Sequence, residues 1–311
     1  MTEIVAFDDI KDTKRIRREM PDGHLYNTPF IDHSKERMGA PNVFMIESSE
    51  HRVLDTHFHD VDQFQIVVGG GGKLGKHTLA PYSVHFARAF TPYGPLVSGP
   101  GPGVAYVTLR ARACPVGGAQ RLPAHREKLQ KMTGRQPWQV TGVPAFVPPG
   151  ADGVGMHPID GLKDDKGLAG YALSMKPGAK TQSPDPAAGD GQYVVVLKGS
   201  LIHEGVEKKG ITVIHLDPRD GAFPIVAGPQ GLQGLVLNFP LPTPQVKSVA
   251  RPAAGAHDKL WQCELCAFSY DEAAGLPEEG IAPGTPWEQV PHDFICPDCS
   301  ATKADFTPLD L

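Results

Sequence analysis

The sequence predicts a mainly β protein: two tandem β-barrels followed by a small metal-holding module. Three observations lead there. Short apolar runs alternate with Gly- and Pro-rich turn signals at roughly ten-residue spacing, the rhythm of a barrel or sandwich. That rhythm occurs twice, in two segments of similar length and punctuation, each with an apolar strand ending in glycine (Gln63–Gly69 and Gln192–Gly199). Four of the five cysteines fall in two C-x-x-C pairs near the C-terminus.

The chain has 311 residues, 40% hydrophobic and 21% charged, a composition that suits two to three globular domains. Gly (35) and Pro (31) exceed a fifth of it, so long helices should be few. No apolar run approaches the roughly 18–20 residues that span a bilayer. Met1–Asp9 has no cationic leader ahead of an apolar core. The expectation is a cytoplasmic protein without a membrane span.

Residues 1–40 are polar, with a basic cluster (Lys14, Arg15, Arg17, Arg18), and predict an N-terminal arm with one short strand at most. The first barrel is expected over 41–117, on the runs Val43–Ile46, Phe64–Val68, Val84–Phe86 and Val104–Leu109, with a four-glycine turn at Gly69–Gly72. A connector follows over 118–165, helical across 118–133 and then rich in Pro and Gly. The second barrel is expected over 166–240, on Tyr171–Met175, Tyr193–Leu197, Ser200–His203, Ile211–Leu216 and Leu232–Phe239. Residues 241–258 are rich in Pro and Ala and read as a semi-extended linker, which leaves the cysteine module at 259–311.

Charge is unevenly placed. From Lys259 to the end there are two basic residues against ten acidic ones, a net near −8, which leaves the preceding chain at about +3. An acidic module on a mildly basic body predicts electrostatic docking, onto its own body or onto a basic partner. The overall charge of −5 argues against nucleic acid as a partner.

The pairs read Cys263-Glu-Leu-Cys266 and Cys296-Pro-Asp-Cys299. Each makes a tight turn that aims two thiolates and several backbone N–H groups at one centre, and two facing turns give a tetrahedral all-sulfur site for zinc or iron. A zinc ribbon uses the same pairs, so the residues between them decide. They include Tyr270-Asp271-Glu272, the run from Pro277 to Thr285, Trp287, Val290-Pro291 and Asp293-Phe294, with Phe306 beyond the second pair. Over roughly residues 260–307 this pattern closely resembles rubredoxin. The resemblance implies one iron on Cys263, Cys266, Cys296 and Cys299, one-electron transfer, and an aromatic core of Trp261, Phe268, Tyr270, Trp287, Phe294 and Phe306. It also implies a redox partner such as a rubredoxin reductase or an oxygenase. Ala267 and Ser300 depart from it, because rubredoxins place glycine after each pair. Strained knuckles are the consequence expected. The fifth cysteine, Cys114, is followed by Pro115 and reads as a buried or semi-buried thiol.

In the first barrel His57-Phe58-His59 is followed by Gln63 and Gly69, a spacing that resembles the first motif of cupins. Cupins are small, often duplicated β-barrels that usually hold a divalent metal on His, His, Glu and a later His. Two histidines separated by one residue point to the same face of a strand, as chelation requires. Gln63 stands where the ligand glutamate belongs, and the later position falls to Tyr93, His85 or, more weakly, His77. A second divalent metal (iron, manganese or zinc) on His57, His59, Gln63, Tyr93 and His85 is one expectation, and a metal-free pair of packed histidines is the other. The second barrel has no H-x-H and is expected to be metal-free. Two functions follow: a redox reaction on a small-molecule substrate in the cupin body, served by the fused rubredoxin, or a cupin binding or sensor module that docks the rubredoxin to a partner. Cupins are often dimers, and a homodimer is the corresponding expectation.

Overall fold

The computed structural model describes residues 2–32, 39–114, 118–122, 124–132, 135–242, 260–266 and 268–308. The predicted linker falls outside them except at 241 and 242, and Ala267 also falls outside.

The chain is mainly β, and every strand pairing among the described residues is antiparallel. One seven-stranded sheet runs in the order Gln139–Gly142, Val84–Ala87, Gln63–Gly70, Val104–Arg110, Asn42–Ser48, Gly23–Asp32, Ile16–Met20. A four-stranded sheet, Val53–Leu54, Leu96–Ser98, Gly72–Leu74 and His77–Leu79, faces it and closes the first barrel. Chain passes between the two sheets at the glycine run. Gly70 has φ +64°, and a Cβ there would stand 2.0 Å from the Gly103 carbonyl oxygen, so no other residue fits this crossing. The second barrel is built on an eight-stranded sheet centred on Gln192–His203 and Pro224–Asn238.

The two large sheets pack on each other. Phe64, Phe86, Val107 and Leu109 of the first share one apolar cluster with Tyr193, Leu235 and Phe239 of the second. Burial on both faces explains why Gln63–Val67 reads as a nearly continuous apolar run rather than an alternating one. Arg88–Asp164 (2.9 Å) and Arg112–Asp190 (2.7 Å) pin the rim of this contact.

Residues 2–32, within the predicted arm of 1–40, are built into the two sheets instead. Glu3–Ala6 pairs with Thr212–Leu216 in the second sheet, helix Phe7–Lys14 crosses over, and Ile16–Met20 with Gly23–Asp32 extend the first sheet. These segments read as polar because Ile16–Met20 is an exposed edge strand. The connector also holds three strands. Among the described residues of the connector only Arg126–Lys131 is helical; Gln120–Arg121 pairs with His57–Phe58, Gln139–Gly142 completes the first sheet, and Val154–Lys163 edges the second.

Residues 260–308 form a separate small sheet, with Leu260–Cys263 between Ser269–Asp271 and Phe306–Pro308. Its core is aromatic. Trp287 packs on Trp261, Tyr270, Phe294 and Phe306 at centroid distances of 5.1, 5.4, 5.7 and 4.8 Å. This module docks on the first barrel, where Phe58, Phe90 and Leu129 join its apolar cluster.

Candidate functional sites

The four cysteines sit on two knuckles. Backbone bonds from Cys263 N–H to Phe268 O (2.8 Å), Cys296 N–H to Ala301 O (2.7 Å) and Ser300 N–H to Cys296 O (2.7 Å) fold them. The four Sγ atoms lie within 4.8 Å of one another, and all four residues are buried. Cys263–Cys299 and Cys266–Cys296 are 3.8 and 3.5 Å apart. A disulfide would need about 2.05 Å, whereas a tetrahedron with metal–sulfur bonds of about 2.3 Å has edges near 3.8 Å. Hydrogen bonds with the other three thiols push Cys263 down, while the bond with Cys263 is the largest of the causes that push Cys266 and Cys299 up. Four thiolates this close need a cation among them. Tetrahedral thiolate geometry, full burial and closed coordination suit an electron carrier rather than a substrate-binding metal.

Ser300 has φ +56°, the left-handed conformation expected of the residue after the second pair. Replacing it by glycine should relieve that strain and stabilise the module by about 1 kcal/mol, read as a later denaturant midpoint at unchanged slope.

The body covers both knuckles. Lys76 N–H donates to Pro297 O (3.1 Å), and the Lys76 ammonium pairs with Asp298 (3.3 Å). Arg135 donates to the carbonyls of Glu264 (2.6 Å), Leu265 (3.0 Å) and Phe90 (2.9 Å). Arg126 pairs with Asp305, itself 3% exposed and bonded to Thr302. Leu265, at the tip of the first knuckle, is 1% exposed. The acidic module thus meets a basic face of its own chain. Arg135 is held against Cys263, Glu264, Cys266 and Cys299, and burial lowers its own affinity for a proton. A fixed positive charge beside the thiolates favours the more negative, reduced site. At an effective dielectric of about 20–40 such a charge is worth on the order of 1–2 kcal/mol. Arg135→Met should therefore lower the reduction potential by about 50 mV in a spectroelectrochemical titration.

The second site lies in the first barrel. His57 and His59 face the cavity, while Phe58 between them faces the cysteine module. His57 Nδ1 donates to Asp55 O (2.8 Å), and its Nε2 accepts from the Tyr93 hydroxyl (3.1 Å). Gln63 Nε2 donates to that same hydroxyl. Gln63 Oε1 accepts from Nε and Nη2 of Arg110 (3.1 and 2.9 Å), and Arg110 Nη2 donates to His59 Nδ1 (3.2 Å). Burial pushes His57 down to about 4 and His59 well below its usual range, so both rings are neutral at pH 7. It pushes the Tyr93 hydroxyl up, so the phenol keeps its proton.

His85 lies against the Tyr93 ring (4.6 Å between centroids) and bonds Thr141 (2.9 Å); its Nε2 is buried without a partner. It lines a small apolar pocket behind the main cavity rather than the cavity itself. His77 points at the docking face, 4.0 Å from Asp298. The structure thus gathers His57, His59, Gln63 and Tyr93, with His85 behind them. Arg110 was invisible to motif reasoning. Its one sequence signal is a charge closing the apolar strand Val104–Leu109.

Comparison with known proteins fits both halves. Residues 260–306 match the rubredoxin family. Over 53 residues the chain is 57% identical to Rubredoxin-2 of Pseudomonas aeruginosa, covering 96% of that protein and 17% of this chain. Over 53 residues it is 55% identical to Rubredoxin-1 of Alcanivorax borkumensis, covering 98% of that protein and again 17% of this one. The body is similar in fold to the nickel(II) complex of a bacterial pirin from Escherichia coli, with a TM-score of 0.50 and 12% identity over 78% of this chain and 100% of the pirin. The N-terminal body therefore resembles cupin-fold proteins, and through its last domain the chain belongs to the rubredoxin family.

Proposed function

We propose that this protein is a one-electron carrier whose rubredoxin domain, with iron on Cys263, Cys266, Cys296 and Cys299, serves an oxidoreductase reaction at the first-barrel cavity of the same chain. The iron supplies the one-electron couple. The protein's own part is to hold the thiolates in one geometry and to seat them against the barrel.

One observation carries this reading: a short bonded path joins the second knuckle to the cavity. Pro297 O accepts from Lys76 N–H (3.1 Å), and Gly75 N–H donates to Pro95 O (3.0 Å). Two residues back, Tyr93 exchanges backbone hydrogen bonds with His57 (3.0 and 3.1 Å) and bonds its ring through the hydroxyl. Fused and docked, the donor needs no encounter step. A rubredoxin reductase would charge the iron from outside, and we assign the protein to the cytoplasm, where such thiolates stay reduced.

The delivery step is tested with reduced, full-length protein mixed with a sulfonated naphthoquinone in a stopped-flow instrument. Return of the oxidised iron's colour should depend hyperbolically on quinone concentration, because the acceptor must occupy the cavity first. A strictly linear dependence would mean collision at the surface and would overturn the reading. The second reading, a sensor body that docks the rubredoxin to another protein, predicts that linear outcome.

The residues that would hold a cupin-type metal do not fit one. The Nε2 lone pair of His57 is taken by Tyr93 and the Nδ1 lone pair of His59 by Arg110, while Gln63 Oε1 accepts two guanidinium N–H groups. Among the described residues the four cysteines are the only set of three or more His, Cys, Asp or Glu side chains close enough to share an ion.

A further inference from the structure

Arg110 is 5% exposed, and among the described residues no carboxylate lies within 4.0 Å of its guanidinium. Burying a charge without an opposite charge is costly, so such groups are paired or held for a ligand. Of the other three arginines in the cavity wall, Arg52 pairs with Asp22 (2.8 Å), Arg121 pairs with Asp55 (3.6 Å), and Arg18 is exposed, where water solvates its charge. Arg110 has only neutral acceptors, Gln63 and His59. Those two acceptors are the second histidine and the glutamine of the H-x-H-x-x-x-Q motif.

A second observation is independent of charge. Thr108 is 1% exposed, lines the same cavity, and its Oγ1 has no hydrogen-bond partner. It lies two residues before Arg110 on one strand, so both side chains point to the same face. The pairing partner of Thr108 is Phe44, whose ring sits 5.3 Å from the Arg110 guanidinium carbon. The cavity is about 600 Å³, and Ile46, Leu25 and Leu96 extend its apolar wall. Among the described residues its only carboxylate is the exposed Asp32.

We propose that this cavity is a binding site for a small organic anion, a carboxylate on an apolar or aryl body, with Arg110 as fixed counter-ion and Thr108 as second donor, and that Arg110 replaces the divalent metal. The proposal rests on the cavity being the reaction site and names its substrate class. The guanidinium takes the carboxylate, Thr108 donates its free hydroxyl hydrogen to it, and Phe44 covers the ligand body. The chain from Arg110 through Gln63 and Tyr93 to His57 fixes the tilt of the guanidinium.

Benzoate and benzyl alcohol, which share a ring and differ in charge, are the probes. They are titrated calorimetrically into oxidised, iron-loaded, full-length protein at fixed salt. One benzoate should bind per chain, about 30-fold more tightly than benzyl alcohol, the preference a charge-assisted hydrogen-bond pair supplies. Arg110→Met should abolish that preference, and Thr108→Val should weaken benzoate several-fold with little effect on the alcohol. Nickel(II) titrated into the wild type should find no second tight site. No binding of benzoate, or equal binding of both probes by the wild type, overturns the proposal even if Arg110→Met fails to fold. A second tight nickel that is lost in His57→Ala overturns it equally. None of these measurements involves electron transfer, so the anion site can fail while hyperbolic quinone kinetics stand, and the reverse.

Discussion

Replacing Cys296 by serine should empty the metal site: iron should fall from about one per chain to below about a tenth, with loss of the visible absorption. The side chains argue for so large an effect. Cys296 stands 3.5 Å from Cys266 and closes one edge of the sulfur tetrahedron, and its own N–H and C=O hold the second knuckle through Ala301 and Ser300. A domain of fewer than fifty residues buries little beyond its aromatic cluster and depends on the ion for its fold. The same loss should be felt across the docking face, because Phe58, Phe90 and Leu129 share that cluster. Differential scanning calorimetry should lose the rubredoxin transition while that of the barrels persists. Iron remaining in the variant would place a second iron site in the barrel. A wild type that carries zinc when grown with ample iron would make the module a structural zinc site.

How far the sequence was readable differs between the two ends of the chain. The rubredoxin module is legible because its determinants are local: two four-residue knuckles, and aromatics within fifty residues that close on Trp287. The strand rhythm of the barrels is legible for the same reason. The roles of the first forty residues are not. Ile16–Met20 looks like solvated chain because an edge strand shows a polar face, and its pairing partner is fixed only by the sheet it joins. The connector hides strands because Gln139–Gly142 is short and pairs with Val84–Ala87, more than fifty residues earlier.

The cavity shows a sharper form of that limit. His57, His59, Gln63 and Tyr93 come together, so their spacing carries real positional information. Their chemistry is set by a residue with no motif. Arg110 reaches Gln63 across 47 positions of sequence and turns two would-be ligands, Gln63 and His59, into hydrogen-bond acceptors. A pattern of types and spacings reports where a site is; which lone pairs remain free depends on contacts the pattern does not contain. The docking of the acidic module was foreshadowed by net charge alone, while its specific partners, Lys76, Arg126 and Arg135, required the fold.

Gly75→Asn should separate the two halves of the electron path proposed above. Gly75 occupies the turn between the paired strands Gly72–Leu74 and His77–Leu79, with φ +54°. A Cβ there would stand 2.9 Å from Pro297 O and 3.3 Å from Asp298 O, backbone atoms of the docked knuckle that cannot swing aside. Asparagine tolerates the left-handed conformation that the turn requires, so the substitution strikes the interface and spares the hairpin. The Lys76 N–H bond to Pro297 should be lost with it, leaving the rubredoxin tethered but unseated at an effective concentration of roughly mM. In the stopped-flow experiment the limiting rate of quinone-driven reoxidation should fall about tenfold or more, since each transfer must now wait for a productive encounter. The half-saturating quinone concentration should stay as in the wild type, because the cavity lies on the opposite side of His57 and His59 from Phe58. That split identifies an undocked donor beside an intact barrel. An unchanged limiting rate would show that the seated geometry contributes nothing to delivery, and electrons would then leave the iron through an edge open to other proteins.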